Sequence, residues 1–175
     1  MDYFQLFGLT PTFQLDTNQL TQTYQTLQKS VHPDRFAHAS SQEQLVAVQK
    51  SSMINDAYQT LKLPLKRAEY LLSMRGTELP NEQASFQDTA FLMRQMELRE
   101  MLGDIQSAAN VDDAIFAANQ ELESEYQSLF VEMQKQLEEN TSEANQQASE
   151  SVRKLKFYQK LQHELDRIED LIFDD

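Results

Sequence analysis

Apolar positions along this chain recur mostly in steps of three and four, the spacing of one helix face. In "LDTNQLTQTYQTLQKSVH", Leu20, Tyr24, Leu27 and Val31 share a face, with Asp16 or Thr17 as N-cap and a forced stop at His32 because Pro33 follows. A polar loop, "DRFAHASS", leads to a second helix capped by Ser40 or Ser41. Val46, Met53, Ile54, Ala57, Tyr58 and Leu61 are expected as its inner stripe, and Pro64 breaks it. "LKRAEYLLSM" predicts a further short helix, ended by Arg75-Gly76. With "DYFQLFG" at the start, closed by Gly8, these make a helical hairpin with short flanking helices.

Beyond "TELPNEQ", a corner punctuated by Pro80 and Asn81, three longer patterns follow, over about 87–107, 112–139 and 142–173, separated by "NVDD" and "ENTSE". Short connections between long helices predict an antiparallel three-helix bundle. On its first helix, Phe91, Leu98, Leu102 and Ile105 fall within about 60° of one another at about 100° per residue. On its third, Leu155, Tyr158, Leu161, Leu165, Ile168 and Ile172 form the core stripe. The organisation expected is an all-α chain with a module over 1–75, a linker over 76–83 and a bundle over 84–175.

Composition narrows the class. Three Gly and four Pro among 175 residues are too few for an all-β fold or a Gly-rich nucleotide loop. The absence of Cys excludes disulfides, thiolate metal sites and Cys nucleophiles. The start, "MDYFQLFGL", has neither the basic, apolar order of a secretory signal nor an Arg-rich transit pattern, and no apolar run reaches membrane-spanning length. A cytoplasmic protein without a membrane segment is expected. Residues 1–75 carry seven Lys/Arg against six Asp/Glu, whereas 76–175 carry the other eight against 22. Halves of +1 and −14 suggest two modules with different partners, and neither has the basic surface of a nucleic-acid binder.

Two stretches carry candidate chemistry. In "VHPDRF", Pro33 fixes its own φ and holds His32 out of the α region, so His32 and Asp34 are presented on a rigid turn. Asp34 adds a carboxylate that can accept charge-assisted hydrogen bonds, and by pattern alone the stretch is either a site or only a turn. A His/Asp hydrolytic pair would need a nucleophile or metal, and the three histidines, His32, His38 and His163, form no metal-ligand spacing. On the first bundle helix, Leu92, Met93 and Met96 lie about 100–200° from Phe91, with Glu100 at about 180° and Glu97 at about 240°. A carboxylate within an apolar stripe is costly in a core and natural at a binding surface. By pattern alone that second face either packs on the first module or meets a partner. Phe157, beside the third helix's stripe, either fills an inter-helix groove or belongs to the same surface.

The helix before His32-Pro33-Asp34, the loop after it and the helix "INDAYQTLKLPLKRAEYLL" together resemble a J-domain, the module that stimulates ATP hydrolysis by 70-kDa heat-shock-class chaperones. With "DYFQLFGL", "DTAFLMRQMELRE" and "VRKLKFYQKL", nearly the whole chain resembles the HscB family of J-domain co-chaperones of iron–sulfur cluster assembly, in its bacterial form. That resemblance implies an L-shaped molecule, a J-domain packed against a three-helix bundle, acting as a monomer without enzyme activity, cofactor or metal. It implies two partners, an HscA-type chaperone and an IscU-type scaffold protein, the alternative being a J-domain co-chaperone for a different client. It assigns Lys29, His32, Pro33, Asp34 and Arg35 to the chaperone, and Leu92, Met93, Met96, Glu97, Glu100 and Phe157 to the client. The helix before His32 offers only Lys29 where J-domains carry several basic residues, and Arg35 stands where Lys is usual. Attraction to the chaperone is then expected either to be weaker or to be carried by Lys50, Lys62, Lys66 and Arg67.

Overall fold

The computed structural model describes residues 1–81 and 83–174; Glu82, within the expected linker, and Asp175, at the end of the expected bundle, lie outside the described residues. The chain is all-α and divides into two compact units, Met1–Thr77 and Glu78–Asp175.

The first unit holds α1 (Tyr3–Leu6), α2 (Thr17–Ser30), a 3-10 helix (Pro33–Phe36), α3 (Ser41–Lys62) and α4 (Pro64–Met74). Local chemistry sets the ends. Asp2 and Gln5 cap α1 reciprocally, and Asp16 accepts from the Asn18 and Gln19 amides at the start of α2. Ser40 caps α3 through the Glu43 amide. Pro64 both ends α3 and begins α4, because its missing N–H is no loss in a first turn. The loop expected at Pro33 is instead a 3-10 helix.

A polar zipper aligns α2 with α3. Thr21 meets Tyr58, Tyr24 donates to Asn55, and Gln28 exchanges bonds with Ser51. Residue numbers rise in α2 as they fall in α3, so the two run antiparallel. The stacked rings of Tyr24 and Tyr58, 4.0 Å between centroids, join the same seam. The inner stripe of α3 is Ala47, Ile54, Ala57, Tyr58 and Leu61. Val46 and Met53, expected inside, are exposed. Each precedes a buried residue by one position, about 100° round the helix, which turns it off the inner face. Arg67, expected at the surface, is only 6% exposed; its guanidinium donates to the Leu61 carbonyl and lies 4.7 Å from the Phe13 ring. Burial lowers its pKa by desolvation.

The second unit holds α5 (Thr89–Gly103), a 3-10 helix (Ile105–Ser107), α6 (Val111–Glu139) and α7 (Ser142–Phe173). The first bundle helix is thus shorter than its pattern predicts, because a 3-10 turn takes over its last residues. Bonds Glu125–Tyr158, Gln136–Ser151 and Asn119–Gln162 set α6 and α7 antiparallel. Arg99–Glu164 and Asp88–Lys154 set α5 parallel to α7. Phe91, Leu98, Leu102 and Ile105 meet Ile115, Leu122, Tyr158, Leu161 and Leu165 in one core. At about 1.5 Å per residue, α5 is roughly half as long as α6 or α7. The small residues Ala144, Ala148, Ser149 and Ser151 of α7 are buried, as are Met133 and Leu137 of α6.

Candidate functional sites

In the first unit, the zipper holds α2 and α3 as a rigid hairpin, and the His-Pro-Asp turn leaves its end. His32 is the N-cap of the 3-10 helix: its Nδ1 accepts the Asp34 amide at 3.2 Å. The same Nδ1 lies 3.6 Å from the Asp34 carboxylate. Pro33 occupies the first helical position. The outcome is a turn fixed from within, on which the Asp34 side chain is 91% exposed and that of His32 60%. Lys29, in the last turn of α2, and Arg35 are also exposed. Beside the turn, Val31, Pro33, Phe36 and Val48 help line an open groove of about 830 Å³ between α2 and α3. Of the further cations expected to face a chaperone, Lys50, Lys62 and Lys66 are exposed, whereas Arg67 is committed to the core.

In the second unit, Asp88 caps α5 by accepting the Phe91 amide, and Lys154 of α7 holds the same carboxylate at 2.9 Å. The Lys154 bond, helped by the Phe91 N–H, keeps the Asp88 carboxyl below the usual carboxylate range. Arg94 bonds Glu97 on α5 and both Glu121 and Glu125 on α6. The Glu125 bond, ahead of the other two, raises its pKa. Tyr158 donates to Glu125, and burial, with the adjacent carboxylate, pushes its hydroxyl pKa up. This network, which the sequence pattern did not reveal, fixes the rotation of α5 about its axis.

That rotation turns Phe91, Leu98 and Leu102 inward and leaves Met93 60% and Met96 73% exposed, with Glu97 and Glu100 exposed beside them. Leu92 is half-buried at the edge. Phe157 is half-buried as well: its ring meets Phe91 edge-on at 5.7 Å and lies 5.5 Å from the Arg99 guanidinium. Thus Leu92 and Phe157, far apart in the chain, line one cleft. Among the described residues no group of three or more His, Asp or Glu side chains could hold a metal ion, and no helix is long and apolar enough to cross a membrane.

Two family models match in tandem. The DnaJ domain matches residues 2–70 and the HSCB C-terminal oligomerisation domain matches residues 87–166. A co-chaperone protein HscB homolog of Colwellia psychrerythraea is 59% identical over the full length of both chains. Its counterpart in Aeromonas hydrophila subsp. hydrophila is 51% identical over 99% of each. The chain belongs to the HscB co-chaperone family. Among solved structures, it is similar to chaperone HscB from Vibrio cholerae, with a TM-score of 0.87 and 43% identity, covering 99% of this chain and 100% of that one. It is also similar to human co-chaperone protein HscB, with a TM-score of 0.85 and 28% identity, covering 97% and 82%. An HscB-family member is a co-chaperone carrying a J-domain, and its partner class is the 70-kDa heat-shock chaperone. The tandem match agrees with the charge asymmetry: the near-neutral unit carries the J-domain and the acidic unit carries the HscB-specific part.

Proposed function

We propose that this protein is a two-site adaptor in the cytoplasm for iron–sulfur cluster assembly. Its first unit docks on an HscA-type chaperone and stimulates the chaperone's ATPase. Its second unit delivers an IscU-type scaffold protein. The observation that carries the reading is the Asp34 carboxylate, exposed on a turn that His32 caps and Pro33 stiffens. Such a turn loses little entropy on docking and offers one charge-assisted acceptor to an Arg of the chaperone. His32 adds a second polar contact and orients the loop, and Lys29 and Arg35 flank it. No bond is broken in this protein; the hydrolytic chemistry stays in the chaperone, so the adaptor is not itself an enzyme.

The client surface is Leu92, Met93, Met96, Glu97, Glu100 and Phe157. The exposed methionines support this reading, since flexible thioethers fit irregular partner surfaces. Holding client and chaperone on one molecule raises the effective concentration of each at the other. The test is ATP hydrolysis by the HscA-type chaperone with this protein, with and without the IscU-type scaffold. Stimulation by this protein, increased further by the scaffold, is expected. No stimulation overturns the chaperone reading. Stimulation indifferent to the scaffold, in a protein that does not bind it, points to a different client.

A further inference from the structure

The chain has seven methionines and no cysteine, so thioethers are its only sulfur. A thioether carries no proton and needs no base to act as a nucleophile, so access governs how fast it meets an oxidant. The structure sorts the seven by access. Met133 is fully buried, and Met101 packs against the core of the second unit. Met53 and Met74 are each 39% exposed. Met93 and Met96 are more open than these, and only Met1, at 87%, exceeds them.

Met93 and Met96 lie three positions apart on α5, so their side chains are neighbours on one face. Phe91, Leu98 and Leu102 turn the other way, into the core. The two methionines are the most exposed apolar part of the proposed client surface, whose other apolar members, Leu92 and Phe157, are half-buried. The carboxylates of Glu97 and Glu100 beside them take up no oxygen from an oxidant. An oxidant that reaches this surface therefore reacts with the two sulfurs.

We infer that Met93 and Met96 are a modification site at which a peroxide switches off client binding. This deepens the client reading above and rests on it. In the step, a lone pair of the thioether sulfur attacks the O–O bond of hydrogen peroxide. One S–O bond forms and the O–O bond breaks. The sulfur is oxidised by two electrons, and the second oxygen of the peroxide leaves as water with both protons. The product, methionine sulfoxide, is neutral but polar, with an oxygen that accepts hydrogen bonds. Burying that oxygen against an apolar partner without a donor weakens the complex. The fold is unaffected, because both side chains lie outside the core. The His-Pro-Asp turn contains no sulfur, so its contact with the chaperone is untouched. The oxidised protein thus engages the chaperone without bringing the client. Enzymes of the methionine sulfoxide reductase class reverse the change.

The test treats the full-length protein with hydrogen peroxide, removes the peroxide and then adds the IscU-type scaffold. Peptide mass spectrometry over time is expected to find Met93 and Met96 oxidised ahead of Met101 and Met133. Scaffold affinity by calorimetry should fall about tenfold or more, since each sulfoxide buries an unpaired acceptor. Melting temperature and scaffold-independent ATPase stimulation should hold, and reductases for both sulfoxide epimers should restore binding. In Met93→Leu/Met96→Leu, whatever its starting affinity, peroxide should leave affinity unchanged, while Met1 reports an equal dose of oxidant. If the double variant binds too weakly to measure, each single variant should lose less on oxidation than the wild type does. Undiminished affinity in wild type oxidised at both positions would overturn the switch and leave the client reading intact. Equal losses in wild type and variants would also overturn it, placing the sensitive sulfur elsewhere, as would oxidation of Met93 and Met96 no sooner than Met133. If the untreated wild type does not bind the scaffold, the client reading falls and the switch falls with it.

Discussion

The His-Pro-Asp turn and the outer face of α5 are both exposed, and they are built in opposite ways. The turn concentrates its chemistry in one carboxylate and fixes it by local means, a proline and a histidine cap within three residues of sequence. The α5 face spreads its chemistry over apolar area and fixes it by distant means: the Arg94 bonds to α6 and the core contacts of Phe91, Leu98 and Leu102. A single-charge contact should fail completely on one substitution. A distributed contact should fail only when several side chains go. That difference suits the transient trigger proposed for the first unit and the client grip proposed for the second.

The largest effect should come from Asp34. Asp34→Asn keeps shape and removes charge, so ATPase stimulation should drop to the unstimulated rate while circular dichroism and scaffold binding match the wild type. Normal stimulation would remove the role given to the carboxylate.

Next, Leu92, Met93 and Met96 replaced together by Ala should cost scaffold affinity about a hundredfold, since interface anchors are commonly worth over about 1 kcal/mol each. Melting should stay near the wild type, because the methionines are exposed and Leu92 is only half-buried. A collapse in melting temperature would instead mark the face as core.

The comparison sharpens within α5 itself. Leu98, 1% exposed, should lose about 2–5 kcal/mol of stability as Leu98→Ala, whereas Met96→Ala should stay within about 0.5 kcal/mol. Denaturant unfolding of the two variants checks this directly. Equal losses would mean that the rotation of α5 has been misassigned.

The smallest effect concerns the start of α5. Lys154 holds the Asp88 carboxyl below its ordinary value in the folded protein. A carboxyl with a depressed folded pKa adds stability that is fully present above its unfolded value of about 3.9 and is lost as pH falls through the folded one. Asp88→Asn should therefore lower melting temperature slightly near neutral pH. Wild type and variant should converge under strongly acidic conditions. A constant difference at all pH values would assign the effect to the cap alone.

Much of the fold was legible because helix ends are local events. Asp16, Ser40, Pro64 and Gly76 announce themselves within a few residues, and the elements end where these say. The His-Pro-Asp motif is legible for the same reason, although its 3-10 form was not: three or four residues show no period. Elsewhere the periodicity was too coarse. Val46 and Met53 are as apolar as their neighbours, and only the packing of α2 on α3 decided that Ala47 and Ile54 turn inward. Arg67 shows the limit most plainly. A cation in a short helix reads as surface until the Leu61 carbonyl and the Phe13 ring are seen around it.

By itself, then, the sequence determined the all-α class, the positions of most helix ends, the charge contrast between the two units and the His-Pro-Asp turn, since each depends on residues adjacent in the chain or one helical turn apart. Tertiary structure alone decided which cations are buried, how α5 is rotated, and that Leu92 meets Phe157 at one cleft with Arg153, Lys156 and Lys160. Those outcomes depend on side chains brought together from separate helices, whose spacing in the sequence carries no period to read.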